Sequence, residues 1–505
     1  MKPAIHPDGL CSSDRFRPQR FCSATRRQRS LTLKRIVPRV HRAVVQAAAV
    51  AAFCGAGASL SHAEDWKRFL GSEGNSTSTE QEAPPIRWDD QTNVRWKAEL
   101  PGDGVSSPIV VDDKVFVTSY SGYGTGGENE EMEDLKRHLT CYDAASGEQL
   151  WSKTVDAVLP EDPYRPPGVT AHGYASHTPA SDGQRVFAFF GKTGIIAFDL
   201  QGNELWRQSV GTGSGPERWG SAASPIVYQS GDQTMVIVTA SEESESMFAF
   251  DAATGKQAWK TEAGDFQGTW STPTLVKADG RTDLVISVPG EVWGLNPESG
   301  KLRWYSRGVT DSTASASAVG VDGVVYAVGG RSGDAVAVRA GGKGDVNDSQ
   351  VVWDAKIPGR FASPIVHQGH LYVFSGGVLS CYDAQSGDRV GQKRLDASRA
   401  DGGAQADGGS PPGEDRGRRG GRGGGGGFGD RRSMEYATPV LAGGNLYVVH
   451  PGGDFFVVRA TPEMELLATN HLTDPTGFSA SPAVSQGRLY LRSGKTLYCV
   501  ADSGE

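Results

Sequence analysis

Short apolar runs separated by turns rich in Asp, Gly and Ser recur along most of the chain, a pattern that predicts strands and tight hairpins. Eight times between Ser107 and Cys499 the same order returns: a Ser-x-Pro-like opening, a short apolar strand, then an aromatic residue eight places after the Pro position. Pro108 and Phe116, Pro179 and Phe187, Pro364 and Tyr372, Pro439 and Tyr447, and Pro482 and Tyr490 keep that spacing. Ala318 replaces the proline in the fifth copy, with Tyr326 still in register. The copies opening at Pro225 and Pro273 lose the spacing, and residues 235–238 and 284–287 read as their second strands. Undisturbed openings lie 43 to 48 residues apart, the repeat length of a four-stranded propeller blade, about 40–50 residues.

The second half of the repeat is a hairpin followed by tryptophan. Asp143 to Gly147 leads to Trp151, Asp251 to Gly255 to Trp259, Asn296 to Gly300 to Trp304, and a shortened Asp199 to Gly202 to Trp206. Asp383 to Gly387 is followed by Gly391 where the tryptophan would stand. Asp opens such a turn by bonding its own backbone and Gly takes the positive φ. The indole is a large apolar plate suited to packing between neighbouring blades. The eighth copy stops short of an outer strand, and Val94-Arg95-Trp96-Lys97 matches Val351-Val352-Trp353-Asp354 in that slot. The expectation is an all-β, eight-bladed β-propeller of four-stranded antiparallel blades, its ring closed by an N-terminal strand that completes the last blade and leaves no open edge.

Residues 1–63 read as a signal-peptide region: 11 Lys and Arg against two Asp, then an Ala-rich apolar stretch from Ala43 to Leu60, and Ser61-His62-Ala63 as a cleavage site. Gln46 and the Ala–Gly composition argue against a permanent membrane span. Residues 64–93 are then an N-terminal extended segment and 94–505 the propeller. Without the leader, 40 basic and 57 acidic residues remain, a balance that argues against bulk nucleic-acid binding. Export to the periplasm or outside the cell follows, and a closed ring needs no partner, which makes a monomer the expectation. Cys141, Cys381 and Cys499 occupy one strand position in three blades and read as buried apolar side chains, with no haem or zinc spacing. Residues 398–433, dominated by Gly, Arg and Asp, read as a disordered insertion.

In a meander of four strands, the loops joining second to third strands and those leading to the next blade emerge at one end. The excursions 120–137, 156–176 and 398–433 all belong to these two kinds of loop, so one mouth of the ring is loop-rich and is the candidate binding face. Its candidate residues are His177, Trp219, Trp270, Arg360, Phe361, Tyr436 and Phe478 at strand entries, with Glu242, Glu243 and Arg331 from loops. Aromatic faces and paired charges around an axial opening suit a planar or anionic ligand; loop packing and solvated charge are the plainer account. His172 and His177 are too weakly spaced to be read as a metal pair, and no metal site is assigned.

The blade repeat resembles the pyrroloquinoline-quinone (PQQ) repeat family, which includes quinoprotein alcohol dehydrogenases, the assembly lipoprotein BamB and exported PQQ-like propellers of planctomycete bacteria. Resemblance to the last group covers nearly everything after Asp65 and rests on Gly173-Tyr174-Ala175-Ser176, Trp219-Gly220-Ser221-Ala222-Ala223-Ser224-Pro225, Ser241-Glu242-Glu243-Ser244 and Gly341-Gly342-Lys343-Gly344-Asp345-Val346. The dehydrogenases carry a vicinal Cys–Cys disulfide, a Glu-Asn-Asp calcium set and a catalytic Asp. No two cysteines are adjacent here, and the calcium set cannot be placed residue by residue. The resembled propellers have no settled activity to carry across, and the loop-rich mouth points to a binding or scaffold module for protein or glycan partners. Its alternatives are a PQQ- and calcium-dependent oxidoreductase and a BamB-like assembly scaffold.

Overall fold

A computed structural model describes residues 64–166, 168–395 and 434–502. Residues 1–63, expected to be a signal-peptide region, and the Gly- and Arg-rich residues 398–433 lie outside the described residues. Eight sheets follow one another around an axis. The first runs Ile109–Val111, Lys114–Ser121, Lys136–Asp143 and Gln149–Asp156, and seven more repeat the meander. The eighth is finished by Val94–Glu99, which pairs antiparallel with Thr496–Val500 and places Trp96 opposite Cys499. Among the described residues, no helix is long and apolar enough to cross a membrane.

The eight-residue spacing has a simple cause. The residue after the Pro position and the aromatic seven places later are cross-strand partners, as in Ile109 with Phe116, Ile365 with Tyr372 and Ala483 with Tyr490. A two-residue turn fixes that register. In the third and fourth blades the pairs become Ile226 with Ile237 and Thr274 with Val285, because their first strands are longer.

Both faces of each sheet meet a neighbour, so alternate side chains of one strand enter different seams. Val186 and Ala188 pack with Ile109, Phe116 and Cys141 of the preceding blade. Phe187 and Phe189, on the same strand, pack with Val236, Val238 and Phe250 of the following one. This two-sided burial explains the near-continuous apolar inner strands. The outer strands are half exposed, as in Glu204–Gln208. All three described cysteines are free and buried.

Tryptophans lock the seams. Each sits opposite a small residue of the third strand, Cys141 for Trp151 and Ala249 for Trp259, and its indole N–H crosses to the next blade. Trp96 donates to Ala144, Trp151 to Leu200, Trp206 to Ala252, Trp259 to Pro297 and Trp353 to Ala384, at 2.9 to 3.1 Å. The ring lies flat on that blade's turn glycine: a Cβ on Gly147 would fall 2.5 Å from Trp96. Three positions differ, the seventh blade having Ala468 in this slot, opposite Val457. Trp304 enters the next seam but bonds within its own blade, to Asp283 Oδ2 at 2.7 Å, beside Arg303 and Arg281. At Gly391 the following blade's turn takes the space of the indole, with the Pro462 carbonyl 2.2 Å from where a Cβ would stand.

The fourth blade is not four-stranded. Gly344–Asp345 adds to its outer strand in parallel, with Trp304 opposite Gly344. The long connection between Arg339 and Val351 of the fifth blade reaches back and covers this edge, and Val346 N–H donates to the Tyr305 carbonyl.

Residues 64–93 do more than lead into the ring. Trp66 bridges Val110 of the first blade, Ser181 N–H donates to Lys67, Thr77 bridges Leu441 of the seventh, and Trp88 stacks on Tyr447. Asp65 accepts from the Asp112 N–H at the tight turn of the first blade. The segment therefore crosses the tight-turn end of the ring.

Candidate ligand-binding cup at the loop-rich mouth

The residue before each Pro position is Ser or Thr in all eight copies: Ser107, Thr178, Ser224, Thr272, Ser317, Ser363, Thr438 and Ser481. In the structure these residues form a collar around the axis. From Ser107 to Ser481, each backbone N–H donates to the hydroxyl of the next blade's residue. The seven bonds span 2.8 to 3.0 Å. Proline cannot donate, so the residue before it carries the last N–H ahead of the strand, and the neighbouring hydroxyl satisfies it. Each such hydroxyl accepts one bond and keeps its own proton to donate.

Above the collar opens a cup of about 480 Å³. Trp219 and Trp270 stand together on its wall, centroids 6.1 Å apart, and Trp270 Nε1–H donates to the Gly220 carbonyl at 2.8 Å. Across the cup Phe361 and Tyr436 meet at 4.6 Å, with the Arg360 guanidinium 4.7 Å from the centre of the Phe361 ring. Arg331, Glu217 and Asp311 add charge at the rim. The Asp311 carboxylate already accepts the N–H groups of Ser312 and Arg331, at 2.8 and 2.7 Å. Phe69, from the N-terminal segment, also lines the cup.

A second, water-sized cavity of about 30 Å³ shares His172, Ser176 and Trp219 with the cup. Here Ser221 Oγ lies 2.5 Å from Glu243 Oε1 and 3.0 Å from His177 Nε2. Arg137 pairs with Glu161, and Lys192 with Asp162 at 3.5 Å. Burial, followed by the Arg137 and His172 charges, pushes the His177 imidazole down to about 3. Burial also raises the Glu243 carboxyl to about 7, helped by the charges of Glu242 and Glu161. The Glu242 carboxyl is raised as well, first by burial and then by Asp162 and Glu245.

Of the ten residues singled out from sequence, Trp219, Trp270, Arg331, Arg360, Phe361 and Tyr436 share the cup. His177, Glu242 and Glu243 instead line the second cavity. Phe478 lines neither; it is buried against Phe455 and Tyr498, at 5.0 and 5.7 Å. Sequence reasoning missed the collar, Ser221, Arg137 and Phe69. The collar was legible, since a hydroxyl residue precedes every Pro position. Phe69 carried no such signal.

A family profile described as outer membrane protein assembly factor BamB matches residues 48–215 and 135–393. BamB from Moraxella catarrhalis is similar with TM-score 0.52 and 14% identity, over 82% of this chain and 98% of its own. A europium-containing methanol dehydrogenase gives 0.55 and 12%, over 86% and 98%. Quinohemoprotein alcohol dehydrogenase from Comamonas testosteroni gives 0.54 and 13%, over 88% and 81%. At these identities the likeness is one of fold alone. No curated protein matches the chain.

Among the described residues, no group of three or more His, Cys, Asp or Glu side chains is arranged for a metal ion. The cysteines stand singly in strands, with no vicinal pair to stack on a quinone.

Proposed function

We propose, from the premise that the chain belongs to the family described as outer membrane protein assembly factor BamB, that it is a binding propeller whose axial cup takes the end of a glycan. One observation carries this reading: aromatic walls stand over a collar of hydroxyl donors in one cup of about 480 Å³. A sugar ring has an apolar C–H face and a rim of hydroxyls. Trp219, Trp270, Phe361 and Tyr436 match the face, and the collar matches the rim. A volume in the usual range for small-ligand sites, roughly 300–1,000 Å³, suits one or two sugar units and is too small for a protein surface. Arg331 and Arg360 extend the range to acidic sugars. Kinship with an outer-membrane assembly factor supports an exported protein, and the closed ring supports a monomer.

The test is direct binding of neutral and acidic oligosaccharides to the purified protein by calorimetry, repeated on Trp219→Ala and Trp270→Ala. Binding lost in both folded variants supports the reading; saccharide binding unaffected by either, or none at all, overturns it. Family membership favours a second reading, a scaffold that holds protein partners on the loop-rich face. That reading expects a protein partner whose binding survives both substitutions.

A further inference from the structure

We infer that Glu243, Ser221 and His177 form a proton-responsive linkage that sets the position of the Trp219–Trp270 wall, with Ser221 as its positioning residue. The part concerning ligand rests on the cup being the binding site; the linkage itself does not.

The geometry begins with three consecutive residues. Trp219 packs against Trp270 in a tilted arrangement, the Gly220 carbonyl accepts the Trp270 indole N–H, and Ser221 bridges Glu243 and His177. Whatever moves Ser221 therefore moves one wall of the cup. The chain of bonds has two self-consistent directions, because a hydroxyl carries one proton. With Glu243 ionised, Ser221 donates to the carboxylate and His177 Nε2–H donates to Ser221. With Glu243 neutral, its hydroxyl donates to Ser221, which turns to donate to His177 Nε2, and the imidazole proton sits on Nδ1. One proton gained thus reverses both bonds.

The surroundings favour such a change. Around Glu243, the strand Lys136–Asp143 contributes Arg137, already paired with Glu161. The loop before the second blade contributes Glu161, Asp162 and His172, and the turn Gly191–Thr193 contributes Lys192, held by Asp162 and Ser214. Glu242 precedes Glu243 in Ser241–Ser244, and Glu245 follows it. Both cations are thus engaged by other carboxylates, which leaves Glu243 among negative neighbours. Glu243 Oε2 and His177 Nδ1 are buried without a hydrogen-bond partner, and both residues line the small cavity. The raised carboxyl affinity, to about 7, places the change near neutrality.

The experiment is a pH titration of tryptophan emission on the ligand-free protein, with an isotope-edited infrared signal for the Glu carboxyl groups. Wild type shows a one-proton emission change near neutral pH; Glu243→Gln abolishes it. In Ser221→Ala the carboxyl still titrates while the emission stays flat. Emission independent of pH in wild type, or a transition that persists in Glu243→Gln, overturns the inference. Should Glu243→Gln not fold, Ser221→Ala decides alone: a transition of undiminished size overturns it. Because no ligand is present, this failure is distinct from failure to bind saccharide.

Discussion

The indole N–H of Trp96 donates to the carbonyl of Ala144 at 3.1 Å, joining the strand that completes the last blade to the turn of the first. The same ring covers Gly147, where a Cβ would come within 2.5 Å of it. This is the seam at which the two ends of the chain meet, so it decides whether the ring stays shut. Trp96→Ala is expected to cost about 3–5 kcal/mol, the usual loss for a buried aromatic, read as a lower denaturation midpoint. Unchanged stability would contradict the closure.

The collar makes a separate prediction. Thr178→Ala leaves the buried Ser107 N–H without its acceptor and is expected to cost about 1–3 kcal/mol. Thr178→Ser keeps the hydroxyl and should stay close to wild type in chemical denaturation.

In the cup, Trp270→Ala removes a stacking face and the bond to Gly220. Saccharide affinity is expected to fall about tenfold or more, roughly 1.4 kcal/mol. Calorimetry on the folded variant measures it.

Stability should depend on pH through the second cavity. Glu243 is raised from 4.5 to about 7, so the folded state holds its proton more tightly than the unfolded chain. Its contribution is full below 4.5 and is lost as pH rises through about 7, up to about 3 kcal/mol. His177, lowered from 6.5 to about 3, works oppositely: its contribution is present above 6.5 and is lost as pH falls towards 3. The two slopes oppose one another between 4.5 and 6.5, and Glu243 alone acts just above. Glu243→Gln should therefore flatten the fall in melting temperature between pH 6.5 and 7.5 (about one unit).

At Gly391 the missing tryptophan is an accommodation, since the Pro462 carbonyl occupies its space. Gly391→Trp, which restores the repeat in sequence, is expected to destabilise by about 1–3 kcal/mol through overpacking. A thermal melt with a raised midpoint would refute this.

The architecture was legible because a blade is a local object. Pro108 and Phe116 lie eight apart since their hairpin pairs Ile109 with Phe116, and Asp143 with Gly147 closes the next turn through contacts a few residues long. The opening recurs eight times, with the spacing kept in six copies and the turn in five, so the number of blades and the need to close the edge with Trp96 could be counted along the chain. The site was legible only in part. Trp219, Trp270, Phe361 and Tyr436 were found as strand-entry aromatics, but entry position does not say which way a side chain turns.

Adjacent residues part company at the mouth. Thr178 joins the collar while His177, one place earlier, turns into the second cavity; Trp219 faces the cup while Ser221 bridges Glu243. Blade number, strand register and seam tryptophans were written in local spacing, where a two-residue period and a two-residue turn leave little freedom. The grouping of carboxylates around Ser221 and the presence of Phe69 in the cup wall were settled only when separate blades and the N-terminal segment converged on the axis. Contacts between residues so distant along the chain leave no periodic trace, because their geometry depends on the packing of the whole ring.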